Sequence, residues 1–378
     1  MSAEAKQRCI TVAFAGGGTG GHIYPGLAVA DELRALAEQK NVNIKIIWIG
    51  SLKCMDRNIV KRSGSADVFK GIPCGKLRRY ASLQNFLDVF KIAAGIIAAF
   101  FVLLRAKPAL LFSKGGFVSV PPCIAAKALR IPVFTHECDF TPGLATKINS
   151  RFAQKILLSY KETATYFSPA MHIRTVVTGN PVRPVFYEAD KSRGLDFLGI
   201  GHAHEKPLLL VLGGSLGAQQ LNQLVLDSLD WLTERCTVVH QTGAQGIEAC
   251  RAAAGDSYRP YDFIYAEMPD VLAAADIVLS RSGASTIWES AVCRKPMILV
   301  PLCGSGTRGD QVDNARFFAK AGAAQVLEGS DATPQKLRSA LEKALANRER
   351  MAQAAGALLP KKRSARIIAE LVGETCLR

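Results

Sequence analysis

Ten cysteines occur in this chain, yet no two are spaced CxxC: Cys9, Cys54, Cys74, Cys123, Cys138, Cys236, Cys250, Cys293, Cys303 and Cys376 stand singly. That scatter builds neither a zinc finger nor a dithiol redox motif. Several lie in apolar runs, where a reduced thiol packs as a small hydrophobe, and a reducing cytoplasm is the expected compartment. The N-terminal stretch MSAEAKQRCITVAF lacks the shape of a signal peptide. No uncharged apolar run reaches the roughly 18 residues that span a bilayer. The nearest, IAAGIIAAFFVLL at 92–104, reads either as a buried helix or as a segment lying in a membrane interface. Lys91 and Arg105 bracket it, and Lys76, Arg78 and Arg79 precede it. The pattern GxxxxGK[ST] is missing, so a nucleoside-triphosphate P-loop is unsupported. Blocks of consecutive Lys or Arg are missing too, and no nucleic-acid-binding tail is expected.

Negative charge is in short supply. Asp and Glu number 32 against 47 Lys and Arg, a formal charge of +15. This balance favours an anionic partner, such as a phosphorylated small molecule or an acidic membrane, or else serves as a solubilising surface. A length of 378 residues exceeds what one core usually organises, so two domains are expected. Apolar, β-rich runs at 9–15, 44–50, 109–116, 131–137, 155–160 and 174–182 alternate with helical stretches. A second series follows at 208–214, 236–243, 275–283 and 296–302. Such alternation predicts two doubly wound parallel sheets, with the boundary near Asn180-Pro181.

Glycines punctuate the ends of several strands. AFAGGGTGGH, SKGGFVSVPP and VLGGSLGAQQLN each leave an apolar run through glycines and enter a helix. Glycine permits close backbone approach, and a helix N-terminus offers free N–H groups to an anion. In open α/β sheets, ligands bind outside the carboxyl ends of the strands. Two sheets facing one another would place such loops on both walls of a cleft. The spacing Gly16, Gly18, Gly21 is GxGxxG-like, but a dinucleotide site also needs an acid at the end of the second strand. Ser51, Leu52 and Lys53 stand there, and Asp56 comes too late. Nicotinamide-dependent chemistry is therefore not expected.

In order, between about residues 10 and 325, stand GGGTGGHIYPGLAVADEL, SKGGFVSVPP, TGNPVRPVF, VLGGSLGAQQLN, HQTG, LSRSGASTIWESAVCRKPMILVPL and DQVDNA. This ordered set resembles the MurG family, the UDP-N-acetylglucosamine transferases of peptidoglycan synthesis. The resemblance implies a GT-B glycosyltransferase fold of two Rossmann-like doubly wound domains facing across a cleft. Residues 1–180 would bind acceptor and membrane, residues 181–345 would bind UDP-GlcNAc, and a helical tail, 346–378, would be free to pack back on the N-terminal domain. The implied reaction moves N-acetylglucosamine, with inversion, onto the C4 hydroxyl of the muramoyl sugar of lipid I, an undecaprenyl-pyrophosphate-linked acceptor, to give lipid II. The implied place is the anionic cytoplasmic face of the cell's inner membrane, with other cell-wall or division proteins as further partners and no nucleic acid. No cofactor is implied. No DxD triplet occurs, so no obligatory metal is expected, and helix dipole and N–H groups would neutralise the leaving diphosphate.

Carried over residue by residue, the resemblance makes His22 a candidate base, since imidazole suits proton abstraction at neutral pH; a loop-capping or orienting role stays open. Gly17, Gly18, Thr19, Gly20 and Gly21, with Gly115 and Gly116, would cradle the acceptor pyrophosphate, or form tight turns only. Thr19, Gly20 and Gly21 would also border the donor. For UDP-GlcNAc, Glu289 would accept the ribose hydroxyls, while Ala284, Ser285 and Thr286 would donate to the diphosphate. Arg281 would add charge, Gly214 and Ser215 a second wall. Arg183 would serve the donor or merely bridge the domains. Gln311 would bond the sugar hydroxyls, its amide both donating and accepting. Tyr265 and Met268 would line the uracil pocket or belong to the core. Three departures stand out: Asp139 replaces the family's asparagine, Asp310 replaces its Gln or His, and the loop LCGSGTRGDQ carries extra glycines. Rival readings are a UDP-sugar epimerase, a glycolipid synthase, and a membrane-peripheral scaffold without activity.

Overall fold

The protein is described by a computed structural model covering residues 9–52, 55–75, 83–201, 205–214, 217–304 and 307–377. Lys53, Cys54, Lys76, Arg78, Arg79 and Ser215, named above, lie outside the described residues. The chain divides into two compact units, Met1–Arg183 with Lys361–Arg378, and Pro184–Pro360.

In the first unit, seven strands form one parallel sheet: β1 (Cys9–Ala15), β2 (Asn43–Ser51), β3 (Val68–Ile72), β4 (Leu110–Ser113), β5 (Val133–Glu137), β6 (Lys155–Leu158) and β7 (Thr175–Val177). Their spatial order is β3-β2-β1-β4-β5-β6-β7, so the chain winds outward from β1 in both directions. Alternation along β1 supplies both faces. Val12 and Phe14 pack with Trp48, Leu27, Leu33 and Phe112 on one side. Ala13 and Ala15 pack with Ile49, Leu111, Cys123 and Leu103 on the other.

The second unit repeats the plan with six strands: β8 (Leu208–Leu212), β9 (Thr237–Gln241), β10 (Tyr258–Tyr261), β11 (Ile277–Ser280), β12 (Met297–Leu299) and β13 (Ala324–Val326). The order is β10-β9-β8-β11-β12-β13, again parallel throughout. Both units are thus Rossmann-like and doubly wound. Three strands, β3, β10 and β13, are not expected from the sequence. Each sits at a sheet edge, half-buried and short, and β10 contains Pro260, a residue tolerated only where a ladder bond can be spared.

Two expectations need correction. The tail does not return as a whole. Within 346–378, helix Arg348–Ala357 buries Met351 in the second unit's core, as the preceding helix Pro334–Ala346 buries Leu337, Leu341 and Ala344 there. Only helix Ser364–Cys376 packs on the first unit, where Ala365, Ile368, Ala369 and Val372 lie against the helix Tyr24–Gln39. The approach is close: a Cβ at Gly373 would stand 2.8 Å from Leu36 Cδ2. Likewise Arg183, assigned to the C-terminal domain, closes the first unit, with its guanidinium 4.8 Å above the Tyr24 ring.

The apolar run at 92–104 belongs to a longer helix, Leu83–Ala106, and it is not a buried one. Over Asp88–Ala106 it is long and apolar enough, by composition alone, to cross a membrane. Ala99 and Leu103 face the core, whereas Phe86, Phe90, Ile97, Phe101 and Leu104 are exposed at helical spacing. Phe86 and Phe90 are in edge-to-face contact, centroids 5.1 Å apart.

Packing of the C-terminal helix makes a direct prediction. Ile368 is fully buried in the first unit's core, so Ile368→Ala should lower that unit's unfolding free energy by about 2–5 kcal/mol. Urea denaturation checks this; a loss under about 1 kcal/mol would mean the helix is only loosely held.

Candidate active site

Between β1 and the helix Tyr24–Gln39 the glycine loop turns sharply, and its own chain fills the space beside it. Trp48 Nε1 donates to the Gly16 carbonyl at 3.0 Å. Asp56, fully buried at the start of helix Asp56–Ser63, accepts from Gly18 N–H at 2.9 Å and from Ser51 N–H at 2.9 Å. A Cβ at Gly17 would collide with the Asp56 carboxylate, and one at Gly18 would lie 2.6 Å from the Phe117 ring. The absence of side chains at 17 and 18 is therefore explained by Asp56 and Phe117. The expected role of Gly18 as an anion donor is corrected: its N–H is committed to Asp56. Asp56, set aside above as too late for a ribose, is instead the carboxylate that closes the loop.

Thr19 is exposed, and Gly20, Gly21 and His22 are half-buried, the last three forming a single 3-10 turn. The His22 ring lies on the second glycine turn. A Cβ at Gly116 would stand 2.9 Å from His22 Cδ2, and one at Gly115 would stand 3.8 Å from Nδ1. Both glycines adopt positive φ, +83° and +73°, which a side chain would resist. The structure thus brings together His22, Gly115 and Gly116, three residues from two separate sequence motifs.

The carboxyl end of β5 adds two side chains that the sequence leaves without a role. Glu137 accepts from three backbone N–H groups, Cys138 (2.9 Å), Asp139 (3.1 Å) and Gly143 (2.9 Å), and so shapes the loop carrying the predicted Asp139. Asp139 itself is buried. His136 is fully buried with Nε2 3.1 Å from the Gly179 carbonyl. Burial, reinforced by the nearby Lys114 ammonium, holds its pKa well below the usual value, against the opposing pull of the Gly179 bond. The ring is neutral, and its Nε2–H donates to the segment leading towards Arg183.

In the second unit, β11 is followed by Arg281-Ser282-Gly283, and helix Ala284–Val292 begins at once. Its N-cap residue is Gly283, which has no side chain with which to cap it, and no acid stands in its first turn. Ala284, Ser285 and Thr286 form the first turn, where the helix dipole is positive. Ser285 Oγ is buried there with no hydrogen-bond partner among the described residues. Glu289 follows in the second turn, half-buried. Arg281 acts mainly as a brace: Nη1 donates to Gln220 Oε1 (3.0 Å), to Val300 O (3.0 Å) and to Pro301 O (3.3 Å).

Gln311 opens the neighbouring helix Asp310–Lys320. Its carbonyl accepts from Ser282 Oγ at 2.7 Å, tying the two helix starts together. Its Oε1 already accepts from Leu302 N–H at 3.0 Å. One of the two lone pairs on that oxygen is thereby taken, which leaves the other, with the amide N–H groups, for a sugar. Asp310 is paired with Arg308 at 2.8 and 3.2 Å, a bidentate match that offsets its negative charge. Arg308 carries no signal in the sequence, where it is one charge in a glycine-rich loop. Gly214 adopts φ +85° with open space beside it. Met268 begins helix Met268–Ala274, and Tyr265 is exposed with its ring 4.6 Å from Phe263.

His136 yields a pH prediction. Its imidazole is neutral in the fold, whereas the unfolded ring takes a proton near its ordinary pKa of 6.5. The stabilisation is complete above that pH and is lost as pH falls below it. Urea midpoints should drop on acidification below about 6.5, and less steeply in His136→Gln, whose amide still donates to Gly179. Equal slopes would show that His136 is not the group responsible.

The glycosyltransferase family 28 N-terminal domain matches residues 12–158, and its C-terminal domain matches residues 208–371. The UDP-N-acetylglucosamine--N-acetylmuramyl-(pentapeptide) pyrophosphoryl-undecaprenol N-acetylglucosamine transferase of Treponema denticola is 51% identical over 375 residues, covering 93% of this chain and 94% of that protein. Among solved structures, MurG of Acinetobacter baumannii aligns with TM-score 0.70 at 25% identity, over 97% of this chain and 99% of its own. A UDP-GlcNAc 2-epimerase from Neisseria meningitidis aligns with TM-score 0.62 at 15% identity, over 97% and 99%, a likeness of fold alone.

Proposed function

The chain belongs to glycosyltransferase family 28, among its UDP-N-acetylglucosamine–N-acetylmuramyl-(pentapeptide) pyrophosphoryl-undecaprenol N-acetylglucosamine transferases, and on this premise we propose how its residues divide the work. It is a hexosyltransferase of peptidoglycan synthesis. It moves N-acetylglucosamine from UDP-GlcNAc to the C4 hydroxyl of the lipid I muramoyl sugar and yields lipid II. The observation that carries this reading is 51% identity sustained over 93% of the chain. The epimerase reading loses to it, because that likeness lies at 15% identity.

In a direct displacement the acceptor oxygen must lose a proton as it attacks C1, and UDP must leave with its charge stabilised. His22 is assigned the first task. Its ring rests on the Gly115–Gly116 turn, which holds the imidazole in one orientation at the mouth of the glycine loop. The N-terminus of helix Ala284–Val292 is assigned the second. Its N-cap is a glycine, its first turn holds no acid, and Ser285 Oγ has no partner among the described residues, as suits a site for an incoming diphosphate. Glu289 takes the ribose hydroxyls, and the Gln311 amide nitrogen donates to the sugar. Thr19, Gly20 and Gly21 are left to meet the acceptor pyrophosphate, since Gly18 N–H is committed to Asp56.

The exposed apolar face of helix Leu83–Ala106 is assigned to the cytoplasmic surface of the membrane. A polyprenyl acceptor never leaves its bilayer, so an enzyme that uses it gains by resting there. Phe86, Phe90, Ile97, Phe101 and Leu104 would enter the acyl boundary, with Lys91 and Arg105 at the level of anionic headgroups.

Two measurements follow. His22→Ala should reduce turnover by about 10²–10⁴-fold while UDP binding by calorimetry stays as in the parent; turnover within a few-fold would remove the base role. The double variant Phe90→Asp, Phe101→Asp should no longer sediment with vesicles rich in anionic lipid. Undiminished sedimentation would exclude this helix as the contact.

A further inference from the structure

The motif HQTG, residues 240–243, supplies none of the groups assigned above. His240 is fully buried at the end of β9, and burial pushes its pKa down to about 4. Its Nδ1 lies 2.9 Å from the Tyr258 hydroxyl and its Nε2 lies 3.1 Å from Asn222 Oδ1. Asn222 Nδ2 in turn donates to the Thr242 carbonyl at 2.9 Å. A carbonyl can only accept, so this last bond fixes the Asn222 amide with its oxygen towards the histidine. Nε2 therefore carries the hydrogen, and Nδ1 accepts from Tyr258 O–H. The chain of bonds admits one direction throughout, and it requires a neutral ring.

What this chain holds is loop geometry. Asn222 stands in the first turn of helix Gln219–Leu226, just after Gly217 of the glycine motif that follows β8. Gly217, at φ +78°, presses on the Thr242 carbonyl, and Gly246 presses on the Asn222 amide, each so closely that a Cβ would collide. The segments following β8 and β9 thus meet backbone to backbone, and Asn222 bonds across them. Gln241, the next residue of the motif, accepts from Ile264 N–H at 3.0 Å and so steadies the segment that carries Tyr265 and Met268.

We propose that His240 is a positioning residue for the nucleotide donor: through Asn222 it holds Gly217 and the 242–246 loop in the shape that receives UDP, without touching the ligand itself. The inference rests on the UDP-GlcNAc reading of this unit.

The test compares His240→Leu with His240→Gln, whose amide N–H can still donate to Asn222 Oδ1. Losing one buried hydrogen bond corresponds to about tenfold in binding. His240→Leu should weaken UDP binding in calorimetry, and raise the KM for UDP-GlcNAc, by about that factor. Its kcat should stay within about twofold and its acceptor KM should be unchanged, and His240→Gln should recover most of the loss. Thermal midpoints, measured in parallel, should drop in both variants, so that a general loss of fold is separated from loss of donor binding. UDP binding by His240→Leu equal to the parent's, or equal weakening in both variants, would overturn the proposal. A parent protein that itself binds no UDP would overturn the donor reading, and this inference with it.

Discussion

All strands in each unit run parallel, so every one of their carboxyl ends opens on the same edge of its sheet. There the chain must turn into a helix within a few residues, and the turning peptide groups lose their ladder partners. Each buried N–H left unpaired would cost about 1–3 kcal/mol. The loops of both units can be understood as answers to that constraint. Where a loop needs only to be held, a buried side chain takes up its N–H groups. Where a ligand is to arrive, the turn is kept clear of acidic side chains.

The first unit shows the former answer in two places. Asp56 gathers Gly18 and Ser51, and Glu137 gathers Cys138, Asp139 and Gly143. These carboxylates make stiff loops, and on one of them His22 is seated. The second unit shows the latter at the start of helix Ala284–Val292, where the N-cap is Gly283 and the first turn holds no acid. The neighbouring Asp310 would spoil such an anion site if it stood alone, but Arg308 neutralises it. The departure at 310 thus comes with its own compensation two residues upstream.

Much of this architecture is legible in the sequence. Buried parallel strands are continuous apolar runs, so CITVAFA and LLLVLGG announce the centres of both sheets. The edge strands β3, β10 and β13 are not legible, because a half-buried strand such as YRPY carries no such run. The glycine loops are legible as turns, but not their occupants. Asp56 lies 39 residues beyond Gly17, and only the pairing of β1 with β2 brings it near. Periodicity gives the helix Leu83–Ala106 its length but not its environment, since an apolar helix looks alike whether it faces a core or a membrane. The tail misleads for a related reason: two helices in a row do not say which sheet each one covers. His240 and Asn222 sit in stretches that read as family signatures, yet their roles, like that of His136, depend on partners far away in sequence.

The central claim is that this chain transfers N-acetylglucosamine to a lipid-linked muramoyl acceptor. The most direct measurement incubates the purified protein with radiolabelled UDP-GlcNAc and a lipid I analogue, with UDP-glucose and UDP-GalNAc as competitors. The account predicts label in the lipid product, with UDP-GlcNAc the preferred donor despite the aspartates at 139 and 310. UDP binding without any labelled lipid would contradict it, and would point to a different acceptor or to chemistry on the nucleotide sugar alone.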